Sequence, residues 1–180
     1  MYALSGDCAF ESITIALKGI TVSWVWMKND DNSEQNDFSR ENGLWFENRK
    51  LFTGTLVYGP PAGFPNGFIK AKIKNGLREG LVEIFSSNER VWEKNNYKEG
   101  NLHGICTMYE FDDEPTFASK TSNYRDGVLH GVVKAFWDKD TLSEISEWKN
   151  GKLHGISELY DEKGKLEERE VYRNGDLVEK

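Results

Sequence analysis

The chain has 180 residues, with 23 Lys and Arg against 30 Asp and Glu, a net charge of −7 and a pI near 5.1. That length allows one elongated domain or two small ones, and the negative charge argues against non-specific binding to nucleic acid or anionic lipid, which carry the same sign. Most of the imbalance lies in the second half, where residues 91–180 hold 19 acids and 13 bases against 11 and 10 in residues 1–90, so the composition favours a basic partner.

The N-terminal region carries Asp7 and Glu11 where a secretory signal would place basic residues followed by an apolar run, which argues against export. Residues 13–17 and 20–27, separated by Lys18 and Gly19, read as a hairpin that caps the remainder of the chain. The stronger of these apolar runs is broken by Thr21 and Ser23 and falls far short of the roughly 18 residues of a membrane span. Residues 29–43, rich in Asn, Asp, Ser and Glu, read as a solvated loop. Cys8 and Cys106 are too few for a disulfide framework and form no CxxC pair, as expected of a reducing, cytoplasmic setting.

From residue 45 onward the sequence repeats. Residues 97–104 read Tyr-Lys-Glu-Gly-Asn-Leu-His-Gly, residues 124–131 Tyr-Arg-Asp-Gly-Val-Leu-His-Gly, and residues 148–155 Trp-Lys-Asn-Gly-Lys-Leu-His-Gly. A fourth copy at 172–179 lacks the last glycine, residues 73–80 keep both glycines but begin with Ile73, and residues 50–54 are a more distant copy. The closing positions 54, 80, 104, 131, 155 and 179 are 24 to 27 residues apart. That period suits one β-hairpin per repeat, with the internal Asn-Gly, Asp-Gly or Glu-Gly supplying the positive φ of a tight turn.

After each closing glycine the residues align in columns, with Leu81, Ile105, Val132 and Ile156 first, Val82, Cys106, Val133 and Ser157 second, a polar third, and Ile84, Met108, Ala135 and Leu159 fourth. Phe85, Tyr109, Phe136 and Tyr160 form the fifth. Apolar residues at four of five positions predict strands covered partly on both faces. In residues 68–74 the alternation puts Ile69, Ala71 and Ile73 on one face and Lys70, Lys72 and Lys74 on the other. Ile73 shares the column of Tyr97, Tyr124, Trp148 and Tyr172, which is therefore expected to pack.

This pattern of aromatic, turn glycine and Leu-His-Gly resembles the variant MORN repeat common in bacterial proteins, over roughly residues 45–179. The resemblance implies stacked β-hairpins in a long twisted sheet that serves as an interaction scaffold, and some bacterial members of the variant family are immunity proteins or antitoxins. The expected architecture is all-β: residues 1–44 an N-terminal β cap and polar loop, residues 45–180 about six hairpin repeats forming one continuous elongated array.

No catalytic set, cofactor motif or metal site is expected. His103, His130 and His154 occupy one repeat position, so they lie on the order of 10 Å apart, too far to share an ion. They read as turn histidines bonded to the backbone. Cys106 reads as a buried small hydrophobe. Candidate partner-binding residues are the acids at successive hairpin tips, Asp112, Asp113, Glu114, Asp138, Asp140, Asp161 and Glu162, which either serve solubility or steer a basic partner. The aromatic column Phe85, Tyr109, Phe136 and Tyr160 is either a core ladder or a surface of rigid anchors. Phe64, in an insertion at 59–67 holding three of the four prolines, sits on either a stiff connector or a preorganised binding loop. The expected function is non-catalytic binding of a basic toxin domain. The alternatives are membrane-surface recognition, supported locally by Lys70, Lys72 and Lys74, or a structural role in a larger assembly.

Overall fold

The computed structural model describes residues 38–59, 67–110 and 117–180, and every described element is a β-strand. The expected hairpin at 13–27, the loop up to residue 37, Phe64 and Asp112, Asp113 and Glu114 lie outside the described residues. The strands are β1 (Phe38–Glu41), β2 (Leu44–Glu47), β3 (Lys50–Leu51), β4 (Gly54–Tyr58), β5 (Phe68–Lys74), β6 (Leu77–Phe85), β7 (Val91–Lys98) and β8 (Asn101–Leu102). They continue with β9 (Gly104–Glu110), β10 (Phe117–Arg125), β11 (Val128–Leu129), β12 (Gly131–Phe136), β13 (Leu142–Lys149), β14 (Lys152–Tyr160), β15 (Leu166–Arg173) and β16 (Asp176–Glu179). Among the described residues, β1 to β3 form a small sheet and β4 to β16 a 13-stranded antiparallel one in chain order, with β8 and β11 as short side strands. This is the expected hairpin array. The loop expected up to residue 43 is already strand from Phe38, and its Asn42-Gly43 is a two-residue turn between β1 and β2.

The hairpin turns are built alike. Asn75-Gly76, Glu99-Gly100, Asp126-Gly127, Asn150-Gly151 and Asn174-Gly175 have positive φ at both residues, the type I′ geometry whose twist matches that of the flanking strands. Each turn glycine then donates its N–H to the repeat before it: Gly76 to Phe52 O, Gly100 to Arg78 O, Gly127 to Leu102 O, Gly151 to Leu129 O and Gly175 to Leu153 O, at 2.8–2.9 Å. The turn is thus also the bond between successive repeats.

The closing glycine answers a second need. Tyr97 pairs with Gly80, Tyr124 with Gly104, Trp148 with Gly131 and Tyr172 with Gly155, so each ring stands opposite a residue without a side chain. On its other flank each ring residue pairs with the leucine of its own hairpin, Leu102, Leu129, Leu153 or Leu177. Those rings and the residues in phase with them define a front face. Its middle row runs from Leu56 through Ala71, Val82, Asn95, Cys106, Ser122 and Val133 to Ser146, Ser157 and Glu170.

The row changes character along the chain. At its start Leu56, Ala71 and Val82 are fully buried with Ile73, Ile69, Tyr58 and Trp45, and Phe38, Phe52, Ile84 and Tyr97 pack around them. Trp45 belongs to β2, so the small sheet covers this end of the front face, anchored by Trp45 N–H to Gly76 O and Phe52 N–H to Trp45 O. Burial of such side chains stabilises by about 1.5–3 kcal/mol each. Asn95 and Ser122 interrupt the row with polar side chains, and beyond β12 it is polar throughout, with the rings bonded to it: Trp148 Nε1–H donates to Ser146 Oγ and Tyr172 O–H to Glu170 Oε2.

The back face is covered in part. Leu81, Ile156 and the rings Phe85, Tyr109, Phe136 and Tyr160 are half-buried, whereas the first-column residues Ile105 and Val132 are 54% and 37% exposed, because their register neighbours include only Asn123 and Glu147 and no second layer among the described residues covers them.

A closing glycine tests this geometry. Gly155 has φ of +114°, and a Cβ there would meet the Cβ of Glu147 at 3.0 Å and collide with its carboxylate. Gly155→Ala is expected to cost about 1–3 kcal/mol from backbone strain, read as a lower urea midpoint. Adding Glu147→Ala should recover only the part due to the collision.

Candidate interaction surface

The expected tip acids fall into two kinds. Asp138 Oδ1 accepts the N–H of Asp140 and of Thr141, both at 2.8 Å, and its Oδ2 accepts the Thr141 hydroxyl at 3.0 Å. Asp161 Oδ1 accepts the N–H of Lys163 and Lys165. These carboxylates shape their own turns. Asp140 and Glu162 are exposed, and Lys139 lies 3.6 Å from Asp140, while Lys163 and Lys165 share the tip of Glu162. Basic residues interleave along this edge, so its negative field is weaker than the acids alone suggest.

Phe85, Tyr109, Phe136 and Tyr160 are all half-buried and, by register, project from the back face. Phe85 stacks on Phe68 with centroids 4.4 Å apart and planes 11° from parallel. Tyr160 O–H donates to Glu158 Oε2 at 2.6 Å, which raises the phenol above its ordinary value. Trp137, at the tip beside this column, is 51% exposed and donates its indole N–H to Tyr160 O one hairpin on. Trp137 is absent from the residues expected to bind, although a tryptophan at the position of Ser86 and Asp161 is a visible anomaly in the repeat.

The histidines hold the stack. His103 Nδ1 faces Asp126 Oδ1 at 3.1 Å and the Asp126 N–H at 3.5 Å; His154 Nδ1 faces Asn174 Oδ1 at 3.2 Å and the Asn174 N–H at 3.3 Å. Thr53 and Glu79, at the same repeat position, accept the N–H of Asn75 and Glu99. The residue before the closing glycine therefore receives the first turn amide of the following repeat. His130 is the exception, with a buried, unpartnered Nδ1. Cys106 is buried in the middle row, and burial pushes its thiol up. No group of three or more His, Cys, Asp or Glu among the described residues could hold a metal ion.

The strongest acidic surface lies away from the hairpin tips. The outer front-face row runs from Glu93 through Met108, Lys120 and Ala135 to Glu144, Leu159 and Glu168, so its acids gather at the far end, where Glu170 stands beside it. In the last strands Glu144, Glu168 and Glu170 flank Trp148 and Tyr172, with Leu159 41% exposed between them. The Lys180 ammonium is seated on Glu168 and, at 3.0 Å, on Glu170, and bonding to those carboxylates raises it above lysine's ordinary value. Glu170 is lowered by the Tyr172 hydroxyl first and then by Lys180.

Asp138 supplies a pH test. Its carboxyl is lowered chiefly by the amides of Asp140 and Thr141, so its stabilising effect is complete above the ordinary carboxylate range and is lost as pH falls through the depressed value. Asp138→Asn should flatten the acid limb of a melting-temperature profile.

The sequence pattern of the MORN repeat variant family matches residues 153–179. No curated protein matches the chain. The matched segment, which is similar to a variant MORN repeat, holds one Leu-His-Gly closure, the Tyr172 ring and the Asn174-Gly175 turn, and the same parts recur at the same positions upstream.

Proposed function

We propose that the chain is a non-catalytic protein-binding module, and most concretely an immunity protein or antitoxin that seats a basic toxin domain on its front face. The observation that carries this reading is the lysine ammonium on Glu168 and Glu170, beside the Tyr172 ring. Carboxylates and half-buried rings on rigid strands are the kind of surface that engages a basic partner's Lys and Arg by charge and cation–π contact. The −7 charge adds long-range attraction.

A second reading, recognition of a membrane surface, draws on Lys70, Lys72 and Lys74, which are exposed on one face of β5. Lys70 is the direct partner of Glu83, which offsets its charge. Co-sedimentation with anionic liposomes, lost on Lys→Glu changes at these positions, would favour it.

The test of the first reading is co-expression with the basic protein encoded beside it. Growth arrest by that protein should be relieved by the native chain and not by Glu144→Gln/Glu168→Gln/Glu170→Gln, and the purified complex should dissociate between about 0.1 and 1 M salt as screening shortens from about 10 to 3 Å. Relief by the triple variant would contradict the proposed surface. Absence of any relief would contradict the immunity role.

A further inference from the structure

One residue past each front-face ring position stands a cation: Lys74, Lys98, Arg125, Lys149 and Arg173. Strand alternation puts all five on the back face, next to the type I′ turns, and all are exposed. Two other back-face cations are paired with neighbours, Lys94 with Glu83 at 3.6 Å and Arg169 with Glu158 at 3.4 Å, whereas Lys72 and Lys134 resemble the column in having no ion pair among the described residues. Among the described residues none of these five is in an ion pair.

The centre of the column is the most uncompensated. The cross-strand partner of Lys149 is Lys152, and that of Arg125 is the exposed Val128. Like charges placed directly opposite destabilise a sheet, and no ion pair among the described residues relieves this one. Carboxylates also lie near the column: Asp126 is turned to His103 at 3.1 Å, Glu99 adjoins Lys98, Asp176 is the partner of Arg173, and Glu147 lies two residues before Lys149 on the same face. They offset part of the charge, but among the described residues none of them forms an ion pair with a cation of the column.

We propose that this column binds an acidic polypeptide laid in extended form across the strands. Successive cations are two strands apart, about 10 Å, and a chain in the extended polyproline II form advances about 3.1 Å per residue with three residues per turn, so carboxylates at every third residue share one side and meet each repeat in turn. Sheet twist selects the occupant. At about 20–25° per strand, successive cations are rotated by roughly 45°, so a planar bilayer reaches only part of the column at once, while a flexible peptide follows it. A stiff duplex fails for the same reason. The surface lies on the face opposite Glu168 and Glu170, so this inference stands apart from the toxin-binding reading.

Fluorescence anisotropy at about 50 mM salt tests it with the full chain and two labelled peptides of equal composition, one with Glu at every third position between Gly and Ser, the other with its Glu residues clustered. The periodic peptide is expected to bind about fivefold more tightly, and Arg125→Gln/Lys149→Gln/Lys152→Gln to weaken it about tenfold with a melting temperature no lower than that of the native chain. Lys149→Glu provides a second, single-site variant with the same direction of effect, and Glu168→Gln/Glu170→Gln should leave peptide binding as it is. Equal binding of the two peptides would overturn the proposal, as would undiminished binding by the triple variant. Binding of phosphatidylserine vesicles that needs the same cations, without binding of the periodic peptide, would assign the column to membranes instead.

Discussion

The structure depends on one short hydrogen bond, from the N–H of a turn glycine to a carbonyl of the preceding repeat. A tight turn normally ends a hairpin and leaves its outward amide to water. Here the positive φ at both turn residues aims that amide back along the array, and the residue before each closing glycine takes the amide next to it, as Thr53, Glu79, His103 and His154 do. A neutral hydrogen bond contributes only about 0.5–1.5 kcal/mol net. Repetition makes such bonds decisive, because in a linear array stability is a sum of repeat terms and nearest-neighbour terms.

That arrangement frees the faces. With register held at the turn edge and rings seated over closing glycines, the middle row need not be apolar throughout. It is a hydrophobic core where Trp45 covers it, and a polar row of Ser146, Ser157 and Glu170 at the far end, where Ser146 is still fully buried and Ser157 and Glu170 are half-buried. That end is where carboxylates gather beside Trp148 and Tyr172. The faces consequently differ in sign: the front gathers glutamates towards β15, while the back carries the cation column. A net charge of −7 conceals that division.

Much of this was legible in the sequence, for identifiable reasons. Glycine is tied to backbone conformation, so Asn150-Gly151 and Gly155 announced their turn and closure, and the period came with them. Ile73 identified the packed column because it stood where other copies have rings, and it is 3% exposed. What stayed hidden depends on neighbours distant in sequence. Asp138 and Asp161 looked available for a partner because nothing in their spelling shows which turn amides they accept. Glu144, Glu168 and Glu170 were overlooked since they lie on return strands, and only the register joins them on one face. Lys149 and Lys152 look ordinary until the turn sets them opposite each other.

Amide hydrogen exchange tests the stacking account most directly. The turn amides of Gly76, Gly100, Gly127, Gly151 and Gly175 belong to tips that would exchange within seconds if solvated, yet each is bonded to the repeat before it. The account predicts protection comparable to that of amides inside the flanking strands, and loss of protection at Gly175 before Gly100 as denaturant is raised, because the buried core lies at the other end. Exchange of all five at the rate of an unstructured loop would contradict it.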